Sequence, residues 1–145
     1  MRYLLDTNAC IYLIKKSPVS VFKRFSKLHV GDIGISAITL CELQSGVSNS
    51  CKPEQNQSAL NEFLGPIEIL DFPSSASILY GRIRYHLQKS GTPIGHYDLL
   101  IASHCLFEGL TLVTNNAKEF PRVPDLEYEN WVEQNKDSFQ KKGKI

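Results

Sequence analysis

Tyr3-Leu4-Leu5-Asp6-Thr7-Asn8 decides how the chain is read. Three apolar residues make a short buried strand, Asp6 breaks it, and from Ala9 to Lys15 the pattern turns helical. A strand that ends on an acid and runs into a helix sets that acid at the carboxyl edge of a sheet, where open parallel sheets bind their ligands. Asp6, Thr7 and Asn8 are also good N-cap residues, so helix capping alone accounts for the same stretch. The choice depends on whether other acids reach the same edge.

The rest of the chain repeats the strand-then-helix pattern. Pro18 suits the first turn of a second helix with Ser17 as its cap, and Val19, Phe22, Phe25 and Leu28 follow at helical spacing. Ile33-Gly34-Ile35-Ser36 reads as a second strand. The helix opening at Ser36 or Ala37 has Ile38, Leu40, Cys41, Leu43 and Val47 as its apolar face and carries Glu42. Glu54 to Leu64 is a helix closed by Gly65-Pro66, and Ile67 to Leu70 a third strand. Pro73 starts a helix with Ala76, Leu79, Ile83 and Leu87 on one side. After the break at Gly91-Thr92-Pro93, Tyr97 to Phe107 is an apolar helix with Asp98 near its start. Leu110 to Thr114 is a fourth strand, followed by Asn115-Asn116 and a short helical turn, and Leu126 to Tyr128 is an edge strand. Alternating strands and helices imply an α/β fold, a single domain over residues 1–132 with a central, mainly parallel sheet flanked by helices. Residues 133–145 read as a polar, basic tail.

Composition narrows the classes. The chain has 145 residues, 42% hydrophobic and 21% charged, as expected of one ordinary globular domain. A formal net charge of +1 neither demands nor excludes nucleic acid. No run of about 18 apolar residues offers a membrane span, and no basic segment followed by an apolar core marks export. Cys10, Cys41, Cys51 and Cys105 fall in no C-x-x-C pair, and three of them, Cys10, Cys41 and Cys105, sit among apolar residues as small buried hydrophobes. A reducing cytoplasm is the expected compartment.

Four acidic positions fall where strands end and helices begin. Asp6 follows the first strand, Glu42 lies in the first turns after the second, Asp98 opens the apolar helix, and Asn115, Asn116 and Glu119 follow the fourth strand. In a right-handed α/β sheet, strand C-termini and helix N-termini share one edge, so these side chains can converge. Each also has a plain structural role. Glu42 can face solvent, Asp98 can complement a helix dipole for about 0.3–1 kcal/mol, and Glu119 beside Lys118 can be an ordinary surface acid. Gathered in one pocket, the carboxylates repel and need a cation. Hard oxygen donors with few histidines point to Mg²⁺ or Mn²⁺, and such an ion on a sheet edge points to phosphodiester hydrolysis.

Taken together, Leu5-Asp6-Thr7-Asn8, Ser36 through Leu43, Pro93 through Ala102, and Leu112 through Asn116 with Glu119-Phe120 resemble the PIN-domain ribonucleases, and within them the VapC-type toxins. The resemblance covers about residues 2 to 131. It implies a metal-dependent endoribonuclease acting on structured RNA such as tRNA, the toxin of a type II toxin–antitoxin pair. It also implies a cytoplasmic homodimer and inhibition by a partner antitoxin. Residue by residue, Asp6, Glu42 and Asp98 match the family's acidic triad. Asn116 stands where many PIN domains carry a fourth aspartate, and Glu119 is the expected substitute. His96 stands where many relatives have proline. Thr7 and Asn8 are expected to support the first ligand and Thr114 to orient the site. Lys15, Lys16, Lys23, Arg24, Arg82, Arg84 and Lys118 are candidates for a phosphate-binding rim. The rival readings are a structure-specific DNA nuclease, a non-catalytic binding module and a phosphoacceptor signalling domain.

Overall fold

The computed structural model describes residues 1–132, so the expected tail at 133–145 lies outside the described residues. Among these, five short strands form one sheet: β1 (Tyr3–Leu5), β2 (Ile33–Ser36), β3 (Glu68–Leu70), β4 (Thr111–Val113) and β5 (Tyr128–Glu129). Six helices connect them: α1 (Thr7–Lys15), α2 (Val19–Ser26), α3 (Ala37–Ser48), α4 (Pro53–Leu64), α5 (Ala76–Lys89) and α6 (His96–Glu108). The sheet order is β3-β2-β1-β4-β5 and every pairing is parallel. The chain builds outward from β1 to β2 and β3, then returns to the other side of β1 for β4. The β1–β4 boundary is therefore the topological switch point, where an open parallel sheet leaves a crevice at its carboxyl edge.

Both faces of the sheet are covered, which explains why the strands are apolar throughout rather than alternating. Tyr3, Leu5, Ile33, Ile35 and Val113 face one way and pack with Ala9, Cys10 and Leu13 of α1, Val21 of α2, Leu43 of α3 and Leu60 of α4. Leu4 and Leu112 face the other way and pack with Ile83 and Leu87 of α5, Leu99, Ile101, Ala102 and Cys105 of α6, and Phe120. The middle of β2 requires glycine: a Cβ on Gly34 would lie 2.9 Å from the Glu68 carbonyl oxygen of β3 and 2.8 Å from Met1 Sδ. Helix α6 stops at Gly109, whose φ of 68° lets its amide turn back to the carbonyls of Cys105 and Leu106.

Four expectations shift. On α2 Val21 is buried and Phe25 partly so, with Leu28 packing just beyond the helix, while Val19 and Phe22 are exposed. Pro18 is the residue before the helix, not inside its first turn. On α3, Cys41 is exposed; with Ser45 and Ser48 it forms the outward stripe at i, i+4 and i+7, so only Leu40, Leu43 and Val47 of that run reach the first core. Strand β5 pairs at Tyr128–Glu129, later than Leu126 to Tyr128, because Leu126 is drawn into the core beneath α6. The cysteines are free, with Cys10 and Cys105 buried. Among the described residues no helix is long and apolar enough to cross a membrane.

Candidate active site

Asp6 leaves β1 at the switch point and is 4% exposed. Its Oδ1 accepts the Ala9 amide at 2.8 Å, so it does cap α1. The cap uses one side of the carboxyl group. Thr114, leaving β4 next door, hydrogen-bonds it as well. Burial pushes Asp6 up to about 6, although the Thr114 and Ala9 bonds favour its ionised form, and the negative charge of Glu42 adds to the rise. Capping and site placement are thus properties of the same residue.

Glu42 sits one and a half turns into α3, half-buried. The Thr7 hydroxyl donates to its Oε1 at 2.6 Å, tying α1 to α3. Thr7 therefore supports the second acid, not the first. Asn8 is exposed and makes no side-chain hydrogen bond among the described residues.

Asp98 and Glu119 form the other half. Asp98 is in the first turn of α6, Glu119 in the loop after β4, and their carboxyl groups share a hydrogen bond. Burial and that bond push Asp98 up to about 8, with the charges of Glu119, Glu42 and Asp6 adding to the rise. Glu119 is held below its ordinary range by the bond from Asp98, then by the Gly95 amide, Asn116 and the positive charge of Arg122. The two acids act on one another, and burial with the neighbouring negative charges favours the protonated form at Asp98. Because Asp98 feels all three of the other acids, the four carboxylates occupy one electrostatic neighbourhood despite coming from four separate segments.

Asn116 plays a different part from Glu119. Its side-chain oxygen accepts the amides of Lys118 and Glu119 at 3.2 and 3.1 Å, closing the loop as an Asx turn, and its amide nitrogen donates to Glu119 Oε2 at 3.4 Å. The Asn116 amide in turn donates to the Thr114 hydroxyl at 2.9 Å. Thr114 thus joins Asp6 to the Glu119 loop. Two contributors escape a reading of the sequence. The Gly95 amide donates to Glu119 Oε1 at 3.3 Å, and Arg122 donates to the Pro93 carbonyl at 2.9 Å, latching the loop before α6 to the loop after β4. The break ending at Pro93 is visible in the sequence, but nothing there pairs it with Arg122.

Of the expected basic rim, Lys118 stands exposed beside Glu119, and Lys15 and Lys16 are exposed at the end of α1. Lys23 is exposed on α2, and Arg82 and Arg84 on α5. Arg24 is engaged elsewhere. It reaches Glu129 Oε1 at 3.3 Å and the Tyr3 hydroxyl at 3.2 Å, and lies over the Trp131 ring.

The donor set suits one class of cation. Among the described residues no three Asp, Glu, His or Cys side chains are grouped closely enough to hold a metal ion together. Mg²⁺ can be held by fewer: it commonly takes one or two carboxylates, keeps several waters and binds substrate phosphate. Two carboxyl groups raised chiefly by burial and further by neighbouring negative charge, with hydroxyl and amide donors behind the acids, fit that requirement.

The family model described as PIN domain matches residues 3–126. Ribonuclease VapC2 of Rickettsia felis is 52% identical over 132 residues, spanning 90% of this chain and 98% of that protein. The tRNA(fMet)-specific endonuclease VapC of Salmonella typhimurium is 42% identical over 131 residues, spanning 90% and 98%. The crystal structure of VapBC2 from Rickettsia felis bound to a DNA fragment from its promoter superposes with a TM-score of 0.84 at 50% identity, covering 90% of this chain and 99% of that one. With its parallel sheet, its switch-point crevice and its acids on four segments, this chain belongs to the PIN-domain family, in the VapC group of ribonucleases.

Proposed function

We propose that this protein is a Mg²⁺- or Mn²⁺-dependent endoribonuclease and the toxin of a type II toxin–antitoxin pair, working in the cytoplasm as a homodimer. The observation that carries the reading is the meeting of Asp6, Glu42, Asp98 and Glu119 at the β1–β4 switch point, close enough that Asp98 is pushed up to about 8 in part by the other three. Relatives named as ribonucleases and as a tRNA(fMet)-specific endonuclease support RNA as the substrate class and make tRNA the first RNA to test. Solved neighbours described as VapBC support a protein antitoxin as partner.

The chain's own contribution is placement. Asp6, fixed by its cap bond, and Glu42, fixed by Thr7, would hold the cation from the β1 side. Asp98 and Glu119 would hold it from the β4 side, where its positive charge would offset the repulsion between the acids. Asn116, Gly95 and Thr114 keep that second pair in place. When bound, the cation supplies Lewis acidity, offsetting charge on the phosphate and acidifying water. Exposed Lys118 lies where it can meet the RNA backbone.

The test is cleavage of total RNA and of purified tRNA by the purified chain, with Mg²⁺, with Mn²⁺ and with chelator. Cleavage of RNA in either metal and none with chelator supports the reading. Cleavage of DNA in place of RNA favours the structure-specific DNA nuclease, and binding without cleavage under every condition favours a non-catalytic module.

A further inference from the structure

Ser36 and His104 are both fully buried and lie 68 residues apart, yet Ser36 Oγ and His104 Nδ1 are 2.8 Å from each other. Ser36 ends β2 and caps α3, its Oγ accepting the Ile38 amide at 3.1 Å. It precedes Glu42 by six residues in the chain, and His104 follows Asp98 by six along α6. The bond therefore joins the root of the helix that carries Glu42 to the body of the helix that carries Asp98. We infer that Ser36 and His104 form a positioning strut that sets Glu42 against Asp98, acting on the site without touching it. This rests on the metal-dependent nuclease reading above.

The Ser36 hydroxyl accepts from Ile38 and keeps both its hydrogen and a second lone pair for Nδ1, so the bond forms with either tautomer of the ring. Nε2 has no hydrogen-bond partner among the described residues and lies 3.7 Å from Glu108 Oε1. Burial also lowers the affinity of His104 for a second proton, which keeps the ring neutral. The Phe72 ring closes the other side, edge-on at 5.3 Å between centroids. A buried polar pair of this kind is expensive to break, because each half would be left without water, and that makes it a stiff connection.

His104→Asn and His104→Gln separate the strut from mere packing. An asparagine amide reaches the position of Nδ1 and keeps the contact to Ser36; a glutamine amide reaches that of Nε2 and loses it. Mn²⁺ binding to the purified full chain, read by electron paramagnetic resonance, gives a readout that does not depend on catalysis. Loss of a group hydrogen-bonded directly to a metal ligand typically weakens metal affinity about 10–100-fold, and a strut one step further out is expected at the low end of that range. His104→Gln is expected to bind Mn²⁺ about tenfold more weakly than wild type, and His104→Asn within about twofold of it. RNA cleavage should follow, with the loss in the metal requirement and little change in KM for RNA. If His104→Gln does not fold, Ser36→Gly removes the hydroxyl while a glycine cap costs only a few tenths of a kcal/mol, and the same weakening of Mn²⁺ binding is expected. Two results overturn the strut while the nuclease reading stands. One is Mn²⁺ affinity at the wild-type level in the His104→Gln or Ser36→Gly protein. The other is a loss in the His104→Asn protein equal to that in the His104→Gln protein. Wild-type protein that binds no Mn²⁺ overturns the metal reading itself, and the strut with it.

Discussion

The site has two halves, and they are built differently. On the β1 side, Asp6 and Glu42 are each fixed by a donor from the protein: the Ala9 amide and Thr114 on Asp6, the Thr7 hydroxyl on Glu42. On the β4 side, Asp98 and Glu119 face one another, and Glu119 is also held by the Gly95 amide and the Asn116 side chain. The first half is a preset mount held by neutral donors, and the second sets two acids against each other, an arrangement that positive charge relieves. The same contrast ranks the effects of mutation.

The largest effect is expected where the second half loses its charge. Asp98→Asn keeps the size of the side chain and can still hydrogen-bond Glu119, so the fold should hold. It cannot supply the negative charge a hard cation needs. Since outer-shell losses alone cost about 10–100-fold, loss of a direct ligand should lower RNA cleavage by more than about 100-fold and abolish growth inhibition. Wild-type cleavage by the Asp98→Asn protein would reduce Asp98 to an acid that complements a helix dipole.

Within the same half, Glu119 and Asn116 separate. Glu119→Gln removes the charge that faces Asp98, and cleavage should fall about 10–100-fold with a raised Mg²⁺ requirement. Asn116 uses its oxygen on two backbone amides, so it is not free to act as a ligand. Asn116→Ala should loosen the loop by about 1 kcal/mol, as loss of a helix cap does, and cost less activity than Glu119→Gln. Titrating cleavage against Mg²⁺ for both variants decides the order. A dead Asn116→Ala protein beside an active Glu119→Gln protein would give the fourth position to Asn116.

The preset half should respond less. Thr7→Val keeps the shape and removes the hydroxyl that holds Glu42. A hydrogen bond is worth about 1 kcal/mol net, so the Mg²⁺ requirement should rise roughly fivefold while the maximal rate changes little. A fall in maximal rate with an unchanged metal requirement would show that Thr7 serves the reaction and not the mount.

Sequence reading reaches the elements and the acids because both are local signals. A strand ending on Asp6, a cap at Ser36 and a glycine stop at Gly109 are written in adjacent residues. The phase of α2 is not legible, since Val19, Phe22, Phe25 and Leu28 form as regular a stripe as the true one, and only the packing of Val21 against the sheet decides between them. Partners are hidden for a related reason. Thr7 meets Glu42 across 35 residues, Gly95 meets Glu119 across 24 and Ser36 meets His104 across 68. Nothing local distinguishes a threonine that supports Asp6 from one that supports Glu42. The two halves of the site are therefore visible in the sequence as four separate acids, and their pairing requires the fold.

The smallest effect concerns pH, and here the acids and the histidine oppose each other. His104 is held neutral by burial, below its ordinary value of 6.5, with Ser36 and Phe72 facing it from neighbouring segments and Glu108 from its own helix. As pH falls through 6.5, the unfolded chain takes up a proton there before the folded one does, so this residue's contribution to stability falls with falling pH. Asp6, raised to about 6, and Asp98, raised to about 8, act in the opposite direction. Their folded forms hold protons that the unfolded chain has released, so the metal-free protein loses stability at these positions as pH rises from the unfolded value of 3.8 through the folded ones. A single melting curve against pH therefore mixes the two slopes. The difference between wild type and His104→Asn removes the acids, because both proteins carry them and asparagine does not titrate. Measured with chelator present, the stability of wild type relative to the His104→Asn protein should decline between about pH 7.5 and about pH 5.5. A difference that stays constant across that range would mean that His104 keeps an ordinary histidine's proton affinity inside the fold, and that burial does not hold it neutral.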